Sequence, residues 1–126
     1  MKRNPVKLVV LLVCGLFLTG CANRPSLYQW GGYDAMLYQS YKDPEKVVAL
    51  RAGLEAHIAL MEQLKQKVAP GLYAELGTIY LQSGDATKAT AMYTKERDVW
   101  PESRGLMDTL IKNVSKPTGA TSEVKS

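Results

Sequence analysis

The chain has one histidine, His57, one phenylalanine and two cysteines, Cys14 and Cys21. A single imidazole cannot build a multi-histidine metal site or a His-paired carboxylate network. Both cysteines fall within the first 21 residues, so everything beyond them lacks a free thiol and a disulfide and must rely on its core. There is no phosphate-binding glycine loop and no nucleophile elbow. The carboxylates are scattered among lysines and read as solvated helix faces. The chain is therefore expected not to be an enzyme and to carry no catalytic residue, metal or cofactor. His57 stands one residue before Ile58, beside an apolar stripe, and is expected to be structural or exposed.

Excess charge is scarce as well. The formal net charge is +4, but Lys2, Arg3 and Lys7 supply three of the 16 basic residues, and the rest of the chain is nearly neutral. No basic patch for nucleic acid is implied, despite a sequence pI of about 9.1. Long hydrophobic runs are missing too. Leu8 to Leu18 spans 11 residues, against the roughly 20 that a membrane-crossing helix needs.

That short run has a function of its own. It comes after the positive Lys2, Arg3 and Lys7 and precedes small Gly20, the order of parts in a secretory signal peptide. Leu18-Thr19-Gly20-Cys21 resembles the lipobox of bacterial lipoproteins. The resemblance implies that residues 1–20 are removed and that Cys21 becomes the acylated first residue, carrying two or three chains. One acyl chain binds a bilayer reversibly, whereas two or more hold a protein there stably. In lipoprotein sorting of the enterobacterial type, an aspartate after the cysteine favours the inner membrane. Ala22 at that position implies the outer membrane, with the periplasmic face preferred over the cell surface.

Residues 21–33 read as a lipidated N-terminus and aromatic spacer, 34–114 as a helical domain and 115–126 as a disordered tail rich in polar residues. Gly31-Gly32 marks a turn, with a short helix from about Asp34. Asp43-Pro44-Glu45 combines a capping side chain, a proline suited to the first helical position and an acid at the positive dipole end. Beyond it Val47, Leu50, Leu54, Ile58, Met61, Leu64 and Val68 form one stripe at helical spacing, predicting a long helix that ends near Pro70-Gly71. Gly53 within that helix is expected to admit a close neighbour. Further helices are predicted over 72–82, 86–100 and 102–114, with a turn at Ser83-Gly84-Asp85.

Internal repetition organises these elements. Leu37 to Leu50 aligns without gaps on Ile79 to Met92, matching Tyr38 to Tyr80, Asp43 to Asp85, Lys46 to Lys88 and Ala49 to Ala91. From Pro70 to Arg104 the second copy resembles a tetratricopeptide repeat. Tyr73, Leu76-Gly77, Tyr80, Ala89, Tyr93 and Pro101 stand at its aromatic, small and terminal positions, and Glu96 departs from its usual alanine. The first copy is degenerate, placing Ala35 opposite Gly77 and Arg51 opposite Tyr93. The resemblance implies an all-α fold of short tetratricopeptide-like helical hairpin repeats with a closing C-terminal helix.

Such repeats present a groove for peptides or helices, largely from the first helix of each pair. Glu75, Thr78 and Gln82, outside the expected packing positions, are candidate partner contacts. Tyr28, Trp30 and Tyr33 fit two settings, a core cap on the helical stack or a docking surface near the anchor. The lipobox together with Leu27-Tyr28-Gln29-Trp30-Gly31-Gly32-Tyr33 and Leu37-Tyr38 through Tyr41-Lys42 also resembles a group of proteobacterial lipoproteins encoded beside a curli-type secretion pore lipoprotein. This implies a membrane-anchored, protein-binding adaptor or assembly factor of the cell envelope, and suggests that pore as its partner. The alternative is a pilotin-like or chaperone lipoprotein that captures an envelope protein during delivery.

Overall fold

Asp43 and Asp85, matched in the repeat, both open helices. Asp43 Oδ1 accepts from the Glu45 N–H at 3.1 Å, and Asp85 Oδ1 accepts from the Lys88 N–H at 2.9 Å. Each side chain satisfies a backbone donor that the first helical turn leaves without a partner. The computed structural model describes residues 26–116. These form five helices in succession: α1 (Tyr33–Lys42), α2 (Val47–Gln63), α3 (Leu72–Gln82), α4 (Ala86–Val99) and α5 (Arg104–Val114). Single 3₁₀ turns at Pro44–Lys46 and Pro101–Ser103 lead into α2 and α5. No strand occurs among the described residues, in keeping with the all-α expectation. The leader, Cys21 and residues 117–126 of the expected tail lie outside the described residues.

Each helix packs chiefly on its neighbours in sequence. Leu50, Leu54, Ile58 and Met61 of α2 meet Leu72, Tyr73, Leu76 and Ile79 of α3 in the main core. Burial of side chains of this size is worth roughly 1.5–3 kcal/mol each. A second cluster joins Ala89 and Tyr93 of α4 to Met107 of α5.

Where the sequence predicts α2 running on to Pro70, the helix stops at Gln63. Lys65 takes a left-handed φ of 54°. Its N–H donates to the Glu62 carbonyl at 3.0 Å, and the Gln66 N–H reaches back to the Met61 carbonyl at 2.9 Å. This is a Schellman ending on a non-glycine residue. Leu64 is consequently exposed, while Val68 keeps its place in the core from the loop rather than from the helix.

Glycine allows close approach at two helix contacts, with opposite polarity. At the α3–α4 contact the glycine is on the first helix: a Cβ on Gly77 would meet the Tyr93 ring at 2.8 Å and the Ala89 carbonyl oxygen at 3.2 Å. At the α1–α2 contact it is on the second, where a Cβ on Gly53 would collide with the Met36 thioether. Ala35, aligned with Gly77, is exposed and takes no comparable part. The two halves share the aspartate cap but not the turn, since Gly84 has φ 85° where the aligned Lys42 still belongs to α1, and they close their helix pairs differently.

Candidate functional site

Six residues stand out in the sequence as candidate partner contacts, and the fold distributes them along the bundle. Tyr28 packs edge-on against Trp100, with ring centroids 5.3 Å apart and planes at 88°. Trp100 is buried, and the Lys67 ammonium sits 3.4 Å from its ring centroid. Trp30 stacks on Tyr33 at 6.4 Å and is exposed, while Tyr28 and Tyr33 are half-buried against the main core. The aromatic segment thus divides between the two settings, with Tyr28 and Tyr33 turned to the core and Trp30 to solvent.

His57 fixes this segment to α2. Its Nε2–H donates to the Gln29 carbonyl at 2.9 Å. Gly31, at a left-handed φ of +59°, passes so close over the imidazole that a Cβ there would strike the ring. The Gln29 amide adds a bond to Gln66 Oε1 at 3.1 Å. The lone histidine pegs the strap to α2. Residues 26–33 are a docked strap, more than the spacer expected of 21–33.

On α3, Glu75 is half-buried beside the Tyr33 hydroxyl. Burial first, and this neighbouring carboxylate second, raise the Tyr33 pKa above its ordinary value. Thr78 Oγ1 donates to the Ala74 carbonyl at 3.0 Å. A hydroxyl has one proton to give, so the Tyr93 hydroxyl must be the donor in their 3.1 Å contact. Thr78 is therefore occupied within the fold. Gln82 is exposed and lines a shallow groove with Val47, Val48, Arg51, Ile79 and Ser83. The groove lies at the opposite end of α3 from Tyr28, a helix length of about 15 Å away. Glu75 and Tyr33 are brought together, whereas Tyr28 and Gln82 are not.

Two exposed carboxylates, Glu62 and Glu55, keep the solvated position expected of them while bonding across helices, and a third, Glu96, departs from it. Glu62 on α2 accepts from the Tyr73 hydroxyl at 2.8 Å and from the Lys95 ammonium at 2.7 Å, linking α2, α3 and α4. Glu55 accepts from the Tyr80 hydroxyl at 2.7 Å. Glutamates and tyrosines run in opposite order with the same spacing, which is the register of antiparallel helices. Glu96 is fully buried in α4. Its Oε1 accepts from the Gly71 N–H at 2.8 Å and the Ser103 hydroxyl at 3.2 Å, while Oε2 has no partner among the described residues. The sequence carried one trace of this role, glutamate at a position where the repeat pattern has alanine.

Among the described residues, no group of three or more His, Cys, Asp or Glu is placed to hold a metal ion. No described helix is long and apolar enough to cross a membrane. Neither a curated protein nor a solved structure matches the chain. A family does match, from Leu27 in the strap to Leu110 in α5, so that strap and helices fall within one unit. The chain belongs to the family described as Domain of unknown function (DUF4810), which matches residues 27–110.

Proposed function

We propose that the protein is a lipid-anchored adaptor of the bacterial cell envelope, held at the outer membrane through Cys21, that binds another envelope protein by means of a short tetratricopeptide-like helical stack. The observation that carries this reading is the α3–α4 pair, with Gly77 closed on Tyr93 and Asp85 capping the second helix, as the repeat pattern requires. Small residues at the contact let the helices approach, and the aromatic ring fills the space across it. The apolar floor of the groove beside Gln82, formed by Val47, Val48 and Ile79 and rimmed by Arg51, supports contact with a peptide or helix. A lipoprotein secretion pore is the partner to test first. Its mechanism is binding rather than catalysis.

A photo-reactive residue at Gln82 of the full-length precursor, expressed in its own cells, tests the reading. The expected result is a discrete adduct with one envelope protein, matched by stable co-purification after detergent extraction. Failure to crosslink any envelope protein from Gln82, while the same probe at Glu75 is equally silent, contradicts it. An adduct that forms only during delivery of the client, and is lost once the client reaches its membrane, would replace the adaptor by the pilotin-like reading.

A further inference from the structure

Ser26, where the described chain begins, is five positions from Cys21, and five residues span at most about 18 Å whatever their conformation. The point from which they depart is not loose. Tyr28 is wedged on Trp100, the Gln29 carbonyl is held by His57 and the Gln29 amide by Gln66. A short leash therefore ends on a fixed corner of the bundle that carries exposed apolar side chains among polar ones. Leu27 is 85% exposed, Trp30 38%, Leu60 47% and Leu64 53%. Leu60 on α2 and Leu64 at its C-cap come one and two turns after His57, which pins the strap down. Leu27 borders the hollow formed with Met61, Gln66 and Lys67 at the end of the same helix. Lys65, exposed next to Leu64, adds an ammonium whose stem can lie along apolar surface while its head stays in water.

We infer that this corner, comprising Leu27, Trp30, Leu60 and Leu64, seats in the interfacial layer of the bilayer that holds the anchor, so that the lipid orients the helical stack as well as tethering it. The inference rests on the acylation of Cys21. Leash length is what selects a lipid surface as the occupant. A tether this short keeps the bilayer at high effective concentration against the corner, so contacts too weak to bind a membrane alone become populated. Tryptophan at the rim suits the headgroup region, where an apolar ring and a polar N–H are both accommodated. The Gln82 groove, at the far end of α3, is then directed away from the membrane and open to a partner.

The test uses the mature acylated protein reconstituted into phosphatidylethanolamine and phosphatidylglycerol vesicles, with or without lipid brominated near the top of its acyl chains. Flotation reports the anchor, and tryptophan emission reports the corner. The expected result is flotation together with loss of emission in brominated vesicles. That loss should disappear in Trp30→Phe, which retains only buried Trp100. In Leu27→Glu/Leu64→Glu, altered only at exposed positions, flotation should persist while quenching falls. Flotation with no quenching of the unaltered protein overturns the seated corner and leaves the anchor standing. Failure to float overturns both.

Discussion

The Glu96 carboxylate accepts a hydrogen bond from the Gly71 backbone N–H at 2.8 Å, so a side chain of α4 caps the start of α3. Gly71 has no side chain with which to cap its own helix, and its φ of 89° sets the sharp entry into α3. An acceptor at this place meets a backbone donor that the start of the helix leaves open. The same oxygen takes the Ser103 hydroxyl, tying the start of α3 to the turn before α5.

Removing Glu96 should therefore loosen two helix starts together. Glu96→Ala leaves the Gly71 N–H and the Ser103 hydroxyl without their acceptor and opens a cavity, at a cost of about 2–3 kcal/mol. Glu96→Gln keeps an oxygen to accept from the Gly71 N–H and the Ser103 hydroxyl at nearly the same volume, and should lose less than the alanine variant. Urea unfolding of the three proteins checks this order. An alanine variant as stable as the parent would refute the capping role.

The two close-packed glycines should respond differently to alanine. At Gly77 the new methyl meets an aromatic ring held in the core and a backbone carbonyl. Neither can retreat, so Gly77→Ala should lose about 1–3 kcal/mol in spite of its better helix propensity. At Gly53 the obstacle is the end of the flexible Met36 side chain, and the propensity gain of up to about 1 kcal/mol offsets its displacement. Thermal unfolding should show a clear drop for Gly77→Ala and little change for Gly53→Ala.

Lys65 and Gly84 occupy equivalent positions after α2 and α3, both with positive φ, at 54° and 85°. Only one has the residue such an ending favours. Lys65→Gly should raise stability by about 0.5–1 kcal/mol, and Gly84→Ala should lower it by about 1 kcal/mol. Melting temperatures that shift in the same direction for both variants would contradict the assigned ending of α2.

Alkaline pH should weaken the fold through the α2–α3 tyrosines. Burial and the hydrogen bond to Glu55 push the Tyr80 pKa from 10.0 up to about 12, and burial with Glu62 raises that of Tyr73 as well. A raised folded-state pKa means that the native protein holds the proton more tightly than the unfolded chain. The associated stability is complete below the unfolded value near 10.0 and is lost as pH rises through about 12. Tyr80→Phe should flatten this limb. On the acid side, the Lys95 hydrogen bond foremost, aided by Tyr73 and opposed by burial, holds Glu62 below its ordinary 4.5. Its contribution is present above that value and is lost as pH falls through the lowered one. Unfolding free energy measured across pH checks both limbs.

Local signals read well from this sequence, and long-range ones did not. The bounds of α3, the turn at Ser83-Gly84-Asp85 and the Asp43 cap follow from spacing and turn chemistry alone. The end of α2 did not, because Leu64 and Val68 continue the apolar rhythm and Lys65 gives no sign of a left-handed residue. Val68 is apolar for a core that it reaches from a loop, and periodicity cannot tell that from a helix face. Glu55, Glu62 and Glu96 acquire their partners only when α2, α3 and α4 come together, so charge patterning along single helices misses them. The strap illustrates the same limit. Its aromatics were visible as a cluster, but their division between Tyr28 on Trp100 and exposed Trp30 depends on His57, 26 positions after Gly31, as its peg.

Both the adaptor reading and the seated corner depend on the residue that stands at the start of the mature chain. Intact-protein and N-terminal peptide mass spectrometry of material extracted from its own membranes addresses that directly. The expected spectrum begins at Cys21 and carries the added mass of two or three acyl chains. A chain still bearing residues 1–20, or an unmodified Cys21, would contradict it.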